Sequence, residues 1–226
     1  MPGHTLAITM QGIEEGKEED GFREIALLTS RGRIDCHYYP SQTPQRSLGA
    51  VWVGGAGGGW DTPARSLFPR LCRQLAVEGI ASLRPRYRLP NQLDECTLDV
   101  LAGLDLLQGT GVTGAALVGH SFGGAVAMRA AAASPIVRTV VALAAQSHGT
   151  DAAAGLGPRC SLLLIHGGAD RVVPPYSSEY VHRMASEPKR LVLLPGAGHS
   201  LDEAADEVER LVREWILREL TPPADR

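Results

Sequence analysis

Cysteine is scarce in this 226-residue chain, and its placement argues against two kinds of site. The four cysteines, Cys36, Cys72, Cys96 and Cys160, lie far apart and form no C-x-x-C pair. That spacing favours neither a zinc centre nor dithiol redox chemistry. We therefore expect free thiols that are mostly buried, and no metal site.

Long apolar runs are also missing from the chain. The first ten residues, MPGHTLAITM, lack the basic segment and apolar stretch that mark a secretion signal. No later apolar run approaches the roughly 18 residues that cross a bilayer. These absences predict a soluble, cytoplasmic protein with no membrane partner.

The charges of the chain are close to balanced. It carries 22 Lys and Arg against 25 Asp and Glu, a net charge of -3, and the basic residues are scattered. No basic patch suited to a phosphate backbone results, so nucleic acid is not an expected partner. The 44% hydrophobic and 21% charged content is that of an ordinary globular protein.

The pattern divides the chain into a body and two short ends. Residues 11–21 are rich in Glu and Gly and hold almost no large apolar side chain. This composition predicts that residues 1–21 form a flexible acidic tail. Residues 22–220 are predicted to fold as a single domain, with 221–226 as a C-terminal tail.

Strand and helix patterns alternate along the body. Two runs, FREIALLTS and RIDCHYYP, flank Arg31 and Gly32 and predict an antiparallel hairpin near the N-terminus. Short apolar runs then alternate with segments whose leucines recur every three or four residues, as on one face of a helix. This order predicts an α/β fold with a mostly parallel central sheet and helices on both faces. Residues 146–159, between two apolar runs, are too few to form a cap domain.

One of the strand-to-helix junctions holds a polar residue among small ones. The stretch Gly119-His120-Ser121-Phe122-Gly123 matches G-x-S-x-G, in which a serine sits on a strained turn between strand and helix. The glycines are needed where a Cβ would collide with the neighbouring strand or helix. Ser121 is therefore the candidate nucleophile, at the carboxyl edge of the sheet where the chemistry of such folds collects.

A serine hydroxyl needs a base, and the base needs an orienting acid. Asp170 follows a later strand in LIHGGADRVVP, and His199 follows the final strand in LLPGAGHSL. This is the order of serine, acid and histidine expected on such a topology. Three other acids are less favoured. Asp202 and Asp206 fall in the last predicted helix, where carboxylates in the first turn commonly interact with the helix dipole. Asp151 follows the wrong strand.

A glycine-rich loop, GGAGGGW, ends the first buried strand after Val53. Its backbone N–H groups can approach a ligand closely, as an oxyanion hole requires. The expected donors are the amide of Phe122 and one from this loop, which we place at Ala56 with Gly55 as the alternative. The loop lacks the Gly-Lys-Ser/Thr ending of a phosphate-binding P-loop, so a nucleotide site is not favoured.

Several further side chains follow these motifs. Trp60, Phe122 and Tyr176 are candidates for lining a substrate pocket or for ordinary packing, with His148 as a further candidate for the pocket. Arg84, Arg86 and Arg88 leave a strand end in SLRPRYRLP and either hold an anionic group of a substrate or, as we favour, form a solvated or salt-bridged edge.

Two other histidines have structural interpretations. His120 is locked in the turn and is expected to pack or to hydrogen-bond beneath the site. His166 lies inside a strand and is expected to be a core histidine with satisfied nitrogens.

With GHSFGG, HGGADRVVP and GAGH together, the chain resembles the α/β-hydrolase superfamily over nearly its whole ordered length. It looks most like the small, lid-free dienelactone-hydrolase-like and carboxylesterase group. The resemblance implies a Ser-Asp-His acyl hydrolase that needs no cofactor. The chain differs in two places: its loop reads Gly54-Gly55-Ala56-Gly57 where many members begin with His-Gly, and it has serine where dienelactone hydrolases typically use cysteine.

The sequence thus predicts a serine hydrolase that cleaves carboxylic esters of small soluble substrates through an acyl-enzyme. The alternatives are other chemistry on the same fold, such as peptidase, amidase, thioesterase or carbon–carbon hydrolase activity, or a non-catalytic binding protein. Acyl-chain length, stereochemical preference and oligomeric state remain open at this point.

Overall fold

The computed structural model describes residues 7–19, 21–43 and 47–221, which build one nine-stranded sheet with helices on both faces. The strands are β1 (Met10–Glu19), β2 (Phe22–Thr29), β3 (Gly32–Tyr39), β4 (Leu48–Val53), β5 (Ile80–Pro85), β6 (Gly114–His120), β7 (Val137–Leu143), β8 (Ser161–Gly167) and β9 (Lys189–Leu194). The α-helices are α1 (Pro63–Val77), α2 (Leu93–Gly109), α3 (Phe122–Ala133), α4 (Tyr176–Met184) and α5 (Ala205–Leu220).

The strand order across the sheet is β1-β2-β3-β5-β4-β6-β7-β8-β9. The first three strands pair antiparallel, and β3 also pairs antiparallel with β5. From β5 to β9 every pairing is parallel. The central parallel strands are mostly apolar and buried because helices cover both of their faces, whereas the edge strand β9 (KRLVLL) is only partly buried. The predicted fold class is confirmed, including the N-terminal hairpin, which is β2 and β3.

The core lies in two layers, one on each face of the sheet. Helices α1 and α5 pack on one face around Leu71, Val212 and Trp215. Helices α2, α3 and α4 pack on the other face around Leu104, Val126 and Val181. The small residues of α3 allow a close approach, since a Cβ on Gly124 would lie 2.7 Å from the Cβ of Ala145.

The predicted flexible tail over residues 1–21 is wrong for Met10–Glu19, which form strand β1 along the edge of the sheet. The segment buries little apolar surface, and that was the reason for expecting disorder. An edge strand, however, is held by backbone hydrogen bonds to one neighbour and needs no buried face. Glu15 and Glu14 also form ion pairs with Arg23 and Arg33 of the hairpin. Residues 1–6, 20 and 222–226 of the two predicted tails lie outside the described residues.

The connection between β7 and β8 holds a single 3-10 turn at Asp151–Gly155, so no cap domain covers the carboxyl edge there. All four cysteines are free and buried, as predicted. Across the described residues, every helix is too short or too polar to span a lipid bilayer.

Candidate active site

Ser121 sits at the turn between β6 and α3 with a backbone conformation that few non-glycine residues adopt. Its φ is 54° and its ψ is -118°, a strained combination that persists only where neighbouring structure enforces it. Here the Ser121 amide donates to the Leu143 carbonyl oxygen at 2.8 Å, which ties the turn to the end of β7. In this position Ser121 lines a cleft at the edge of the sheet.

The two glycines of the motif are required by close backbone contacts. A Cβ on Gly119 would lie 2.1 Å from the carbonyl oxygen of Gly123, and a Cβ on Gly123 would lie 2.3 Å from that of Gly54. Contacts below 3 Å cannot be accommodated without moving backbone. The glycines therefore allow α3 to begin directly against the end of β4, where the glycine-rich loop starts.

Asp170 lies just beyond the end of β8, with its side chain buried. Its Oδ1 accepts hydrogen bonds from the amides of Val172 and Val173, at 2.8 and 2.9 Å. Its Oδ2 accepts from Nδ1 of His199 at 2.8 Å. Burial raises the pKa of this carboxyl, but the hydrogen bonds from His199 and the two amides outweigh it and lower the pKa overall. The carboxylate is therefore charged at neutral pH.

The loop that carries His199 folds back onto the end of β8. A Cβ on Gly167 would lie 2.3 Å from the carbonyl oxygen of Ala197 and 2.5 Å from that of Gly198. The Ala169 amide donates to the Ala197 carbonyl at 2.9 Å. This close contact brings the histidine and the aspartate, 29 residues apart, within hydrogen-bonding distance.

Ser121 and His199 line the same cleft, about 390 Å³ in volume, at the carboxyl edge of the sheet. Because Nδ1 of His199 donates a hydrogen bond to Asp170, Nε2 is the ring nitrogen available to accept a proton in the cleft. Within the described residues, no hydrogen bond joins the Ser121 hydroxyl to that ring. Such contacts commonly tighten only when substrate binds. A larger depression of about 620 Å³ between α1 and α5 is lined by no serine, cysteine or histidine, so it offers no comparable chemistry.

The glycine-rich loop forms one wall of the cleft, and both Gly55 and Ala56 contribute to it. Their amides donate to no backbone carbonyl within the described part of the chain. Two hydrogen bonds fix the loop. The Tyr87 hydroxyl donates to the Gly54 carbonyl at 3.0 Å, and the Gly58 amide donates to the Gly55 carbonyl at 3.1 Å. Phe122, the first residue of α3, presents its amide at the helix N-terminus, which favours negative charge.

His120 hydrogen-bonds beneath the site, one of the two roles expected from its position. Its Nε2 lies 3.0 Å from the carbonyl oxygen of His199, which can only accept, so this nitrogen carries the hydrogen. Burial is the main cause that lowers the pKa of His120 to about 4. The ring is therefore neutral at physiological pH and supports the loop of His199.

His166 is fully buried with both ring nitrogens bonded, as expected of a core histidine. One contact was not anticipated from the sequence: its Nε2 lies 3.2 Å from Oδ2 of Asp170. The other acids considered lie elsewhere. Asp202 accepts from the Arg65 amide, Asp151 begins the 3-10 turn, and Asp206 lies in the first turn of α5.

None of the predicted pocket residues Trp60, His148 and Tyr176 lines the cleft that holds Ser121. The Trp60 ring stacks on His37 at 3.7 Å and faces a separate cavity of about 250 Å³. Tyr176 is 63% exposed at the start of α4, near Arg183. The His148 carbonyl accepts a hydrogen bond from the side-chain amide of Gln146. The cleft is lined instead by residues that sequence reasoning did not single out: Asp61, Thr62, Pro63, Val172 and Ser200.

Arg84 near the end of β5, and Arg86 and Arg88 just after it, do not line the cleft either. Arg88 forms a buried ion pair with Asp99, and Arg84 donates to the Trp60 carbonyl at 2.8 Å. Arg86 lines the separate cavity beside Trp60. These contacts favour the structural interpretation of the stretch for Arg84 and Arg88. Within the described residues, no group of three or more His, Cys, Asp or Glu side chains is arranged to hold a metal ion.

Solved structures with the same architecture are α/β hydrolases. A lid-free α/β serine hydrolase from Xanthomonas campestris has a TM-score of 0.72 and 19% sequence identity, covering 92% of this chain and 99% of that one. A dienelactone hydrolase from Anabaena variabilis has a TM-score of 0.72 and 22% identity, covering 88% of this chain and 99% of that one. The chain has the α/β-hydrolase fold.

Sequence relatives match only part of the chain. The uncharacterized protein YfhR of Escherichia coli is 45% identical over 65 residues, which is 27% of this chain and 22% of that protein. The uncharacterized protein Rv2307c of Mycobacterium tuberculosis is 43% identical over 63 residues, or 28% and 22%. The match thus spans about a fifth of these relatives' length. No family model matches the chain.

The close contact at Gly123 yields a stability prediction. Gly123→Ala places a Cβ 2.3 Å from the Gly54 carbonyl oxygen, so we expect it to lower the free energy of unfolding by about 1–3 kcal/mol in urea denaturation. Gly57→Ala in the same region is the control, because its Cβ would meet nothing within 4 Å. We expect that variant to stay within about 0.5 kcal/mol of the wild type. Equal unfolding free energies for the two variants would contradict the contact.

The neutral state of His120 predicts how stability depends on pH. In the folded protein its pKa is about 4, below its ordinary 6.5, so the unfolded chain binds the proton first as pH falls. Stability should therefore decline as pH drops from about 6.5 to about 4. His120→Gln keeps a donor for the His199 carbonyl but cannot titrate, so its decline should be shallower in urea denaturation at stepped pH.

His37 provides the matched control for this measurement. Its pKa is also lowered to about 4, mainly by burial, and it lies away from the cleft. His37→Gln should flatten the pH dependence as well. A His120→Gln variant whose stability declines as steeply as that of the wild type would show that His120 is not held neutral.

Proposed function

We propose that the protein is a serine hydrolase that cleaves carboxylic esters through an acyl-enzyme, with Ser121 as nucleophile, His199 as general base and Asp170 as the orienting acid. The observation that carries the proposal is the 2.8 Å hydrogen bond from His199 Nδ1 to a buried carboxylate, beside a serine on a strained turn in the same cleft. Solved structures with this fold that are named as an esterase domain and as a dienelactone hydrolase add support.

In this mechanism the Ser121 hydroxyl attacks the ester carbonyl while Nε2 of His199 takes its proton. The Asp170 carboxylate holds the imidazole in the tautomer with hydrogen on Nδ1 and stabilises the imidazolium that forms. His199 then gives the proton to the departing alcohol oxygen, which leaves an acyl group on Ser121. A water molecule, deprotonated by His199, attacks the acyl carbon and releases the carboxylic acid.

The tetrahedral intermediates of both steps carry negative charge on the former carbonyl oxygen. We assign its stabilisation to the amides of Phe122 and Ala56, with Gly55 as the neighbouring alternative. The Phe122 amide stands at the start of α3, and the Ala56 amide has no backbone partner in the described structure. Donors fixed in place before the reaction are the main source of such stabilisation, and losing one typically costs about a hundredfold or more in rate.

The walls of the cleft favour small, soluble substrates. Five consecutive residues of the glycine-rich loop, from Gly55 to Gly59, form one side, and Val172 is the largest apolar side chain that lines the cleft. No cap domain deepens the site, since only a 3-10 turn connects β7 to β8. Such a cleft has room for a short acyl group and little apolar surface for a long one.

A fluorophosphonate probe tests the nucleophile without knowledge of the natural substrate. We expect it to label the wild type and not to label Ser121→Ala. His199→Gln should label at least about a thousandfold more slowly, because the base is lost. Ser200→Ala is the matched control, since Ser200 lines the same cleft, and it should label at the wild-type rate. Labelling that survives in Ser121→Ala would refute the assignment.

Chromogenic esters of increasing acyl length test the size of the cleft. We expect kcat/KM to be highest for acetyl and butyryl esters and to fall for octanoyl and longer esters, because the cleft of about 390 Å³ lacks an apolar wall. Amide, thioester and carbon–carbon substrates belong in the same panel. Preferred cleavage of long acyl esters, or of any of these other bonds, would contradict the proposed substrate class.

A further inference from the structure

The acid of the proposed triad is contacted by a second histidine that the mechanism does not use. His166 lies at the end of β8, fully buried, four residues before Asp170. Its Nε2 lies 2.9 Å from the Val173 carbonyl oxygen and 3.2 Å from Oδ2 of Asp170. Its Nδ1 lies 2.6 Å from the hydroxyl oxygen of Ser178 on α4.

These partners determine which nitrogen of His166 carries the hydrogen. The Val173 carbonyl can only accept, so Nε2 must donate to it. In the neutral ring Nδ1 is then an acceptor, and the Ser178 hydroxyl donates to it. Ser178 is itself fully buried, which keeps water from competing for the ring.

Asp170 accepts hydrogen bonds on both of its oxygens, from three donors. The Val172 and Val173 amides donate to Oδ1, and the ring of His199 donates to Oδ2 at 2.8 Å. The ring of His166 lies against the same carboxylate, with Nε2 3.2 Å from Oδ2, while it donates to the Val173 carbonyl. Val173 therefore connects the two side chains, because its carbonyl is bound by His166 and its amide binds Asp170.

We infer that His166 is a positioning residue for the catalytic acid: through Val173 it anchors the turn that directs the Asp170 carboxylate toward His199, and Ser178 holds His166 in the tautomer this requires. The inference rests on the proposed function. A histidine that only filled the core could donate to any buried acceptor. The acceptor of His166 belongs to the residue whose amide binds the acid, and its ring also contacts Oδ2 of that acid.

Two substitutions separate this role from a purely structural one. The amide nitrogen of Gln stands about where Nε2 of histidine does, so His166→Gln can still donate to the Val173 carbonyl. The amide of Asn stands about where Nδ1 does, so His166→Asn keeps a partner for Ser178 and loses the donor to Val173. Each variant removes one side of the ring's contacts within the same buried space.

The readout is the rate of fluorophosphonate labelling at Ser121, compared with the melting temperature of each variant. We expect His166→Asn to label roughly tenfold or more slowly than the wild type, the usual effect of losing such a supporting hydrogen bond. His166→Gln should stay within about threefold of the wild type. Equal losses in the two variants, or losses that follow their melting temperatures, would overturn the inference. A wild type that is not labelled at all would instead refute the proposed function.

A measurement on the unaltered protein covers the case in which the Asn variant does not fold. Nitrogen-15 NMR of labelled histidines distinguishes a ring with hydrogen on Nε2 from one with hydrogen on Nδ1. We expect the Nε2–H tautomer for His166 at neutral pH. The Nδ1–H tautomer would leave Nε2 unable to donate to the Val173 carbonyl and would overturn the inference.

Discussion

The candidate site depends on two places where backbone segments meet with no room for a side chain. At one, α3 begins against the end of β4, with Gly123 facing the Gly54 carbonyl. At the other, the end of β8 meets the loop of His199, with Gly167 facing the Ala197 and Gly198 carbonyls. The first contact places Ser121 beside the glycine-rich loop, and the second places Asp170 beside His199. Without these glycines the strands would still pair, but the side chains would not converge.

A rigid sheet edge explains why strain at Ser121 is tolerated. The positive φ of Ser121 costs free energy of order 1–3 kcal/mol, and the cooperative packing of β6, β7 and α3 offsets that cost. Four buried or partly buried histidine and aspartate side chains then surround the turn: His120, His166, Asp170 and His199. His199 lines the cleft with its Nδ1 bonded to Asp170. The others support it: His120 binds the His199 carbonyl oxygen, and His166 acts through Val173, whose amide binds Asp170.

Much of this arrangement was predictable from the sequence because its determinants are local. The apolar runs identify parallel strands, and G-x-S-x-G fixes its own turn through glycines two residues either side of Ser121. Chain order along the sheet then predicts where Asp170 and His199 lie. The strand β1 was not predictable in the same way, since its pairing depends on β2 and not on its own buried face.

The walls of the cleft and the second contact on the acid also escaped prediction, for a related reason. Asp61, Thr62 and Pro63 come to line the cleft through the path of the chain between β4 and α1, which no periodicity describes. Trp60 was expected there, but its ring turns to the opposite side of the loop and stacks on His37. His166 has the pattern of a core residue, and its contact with Asp170 arises only when the turn after β8 folds back.

The central claim is that three loops bring a nucleophile, a base and an oxyanion hole to one point on the sheet edge. A crystal structure of the protein after reaction with a fluorophosphonate tests it most directly. The account predicts phosphorus bonded to Oγ of Ser121, with the phosphonyl oxygen about 2.7–3.1 Å from the amides of Phe122 and Ala56. It also predicts Nε2 of His199 within about 3.2 Å of an adduct oxygen. An adduct on another residue, or a His199 ring turned away from it, would contradict the account.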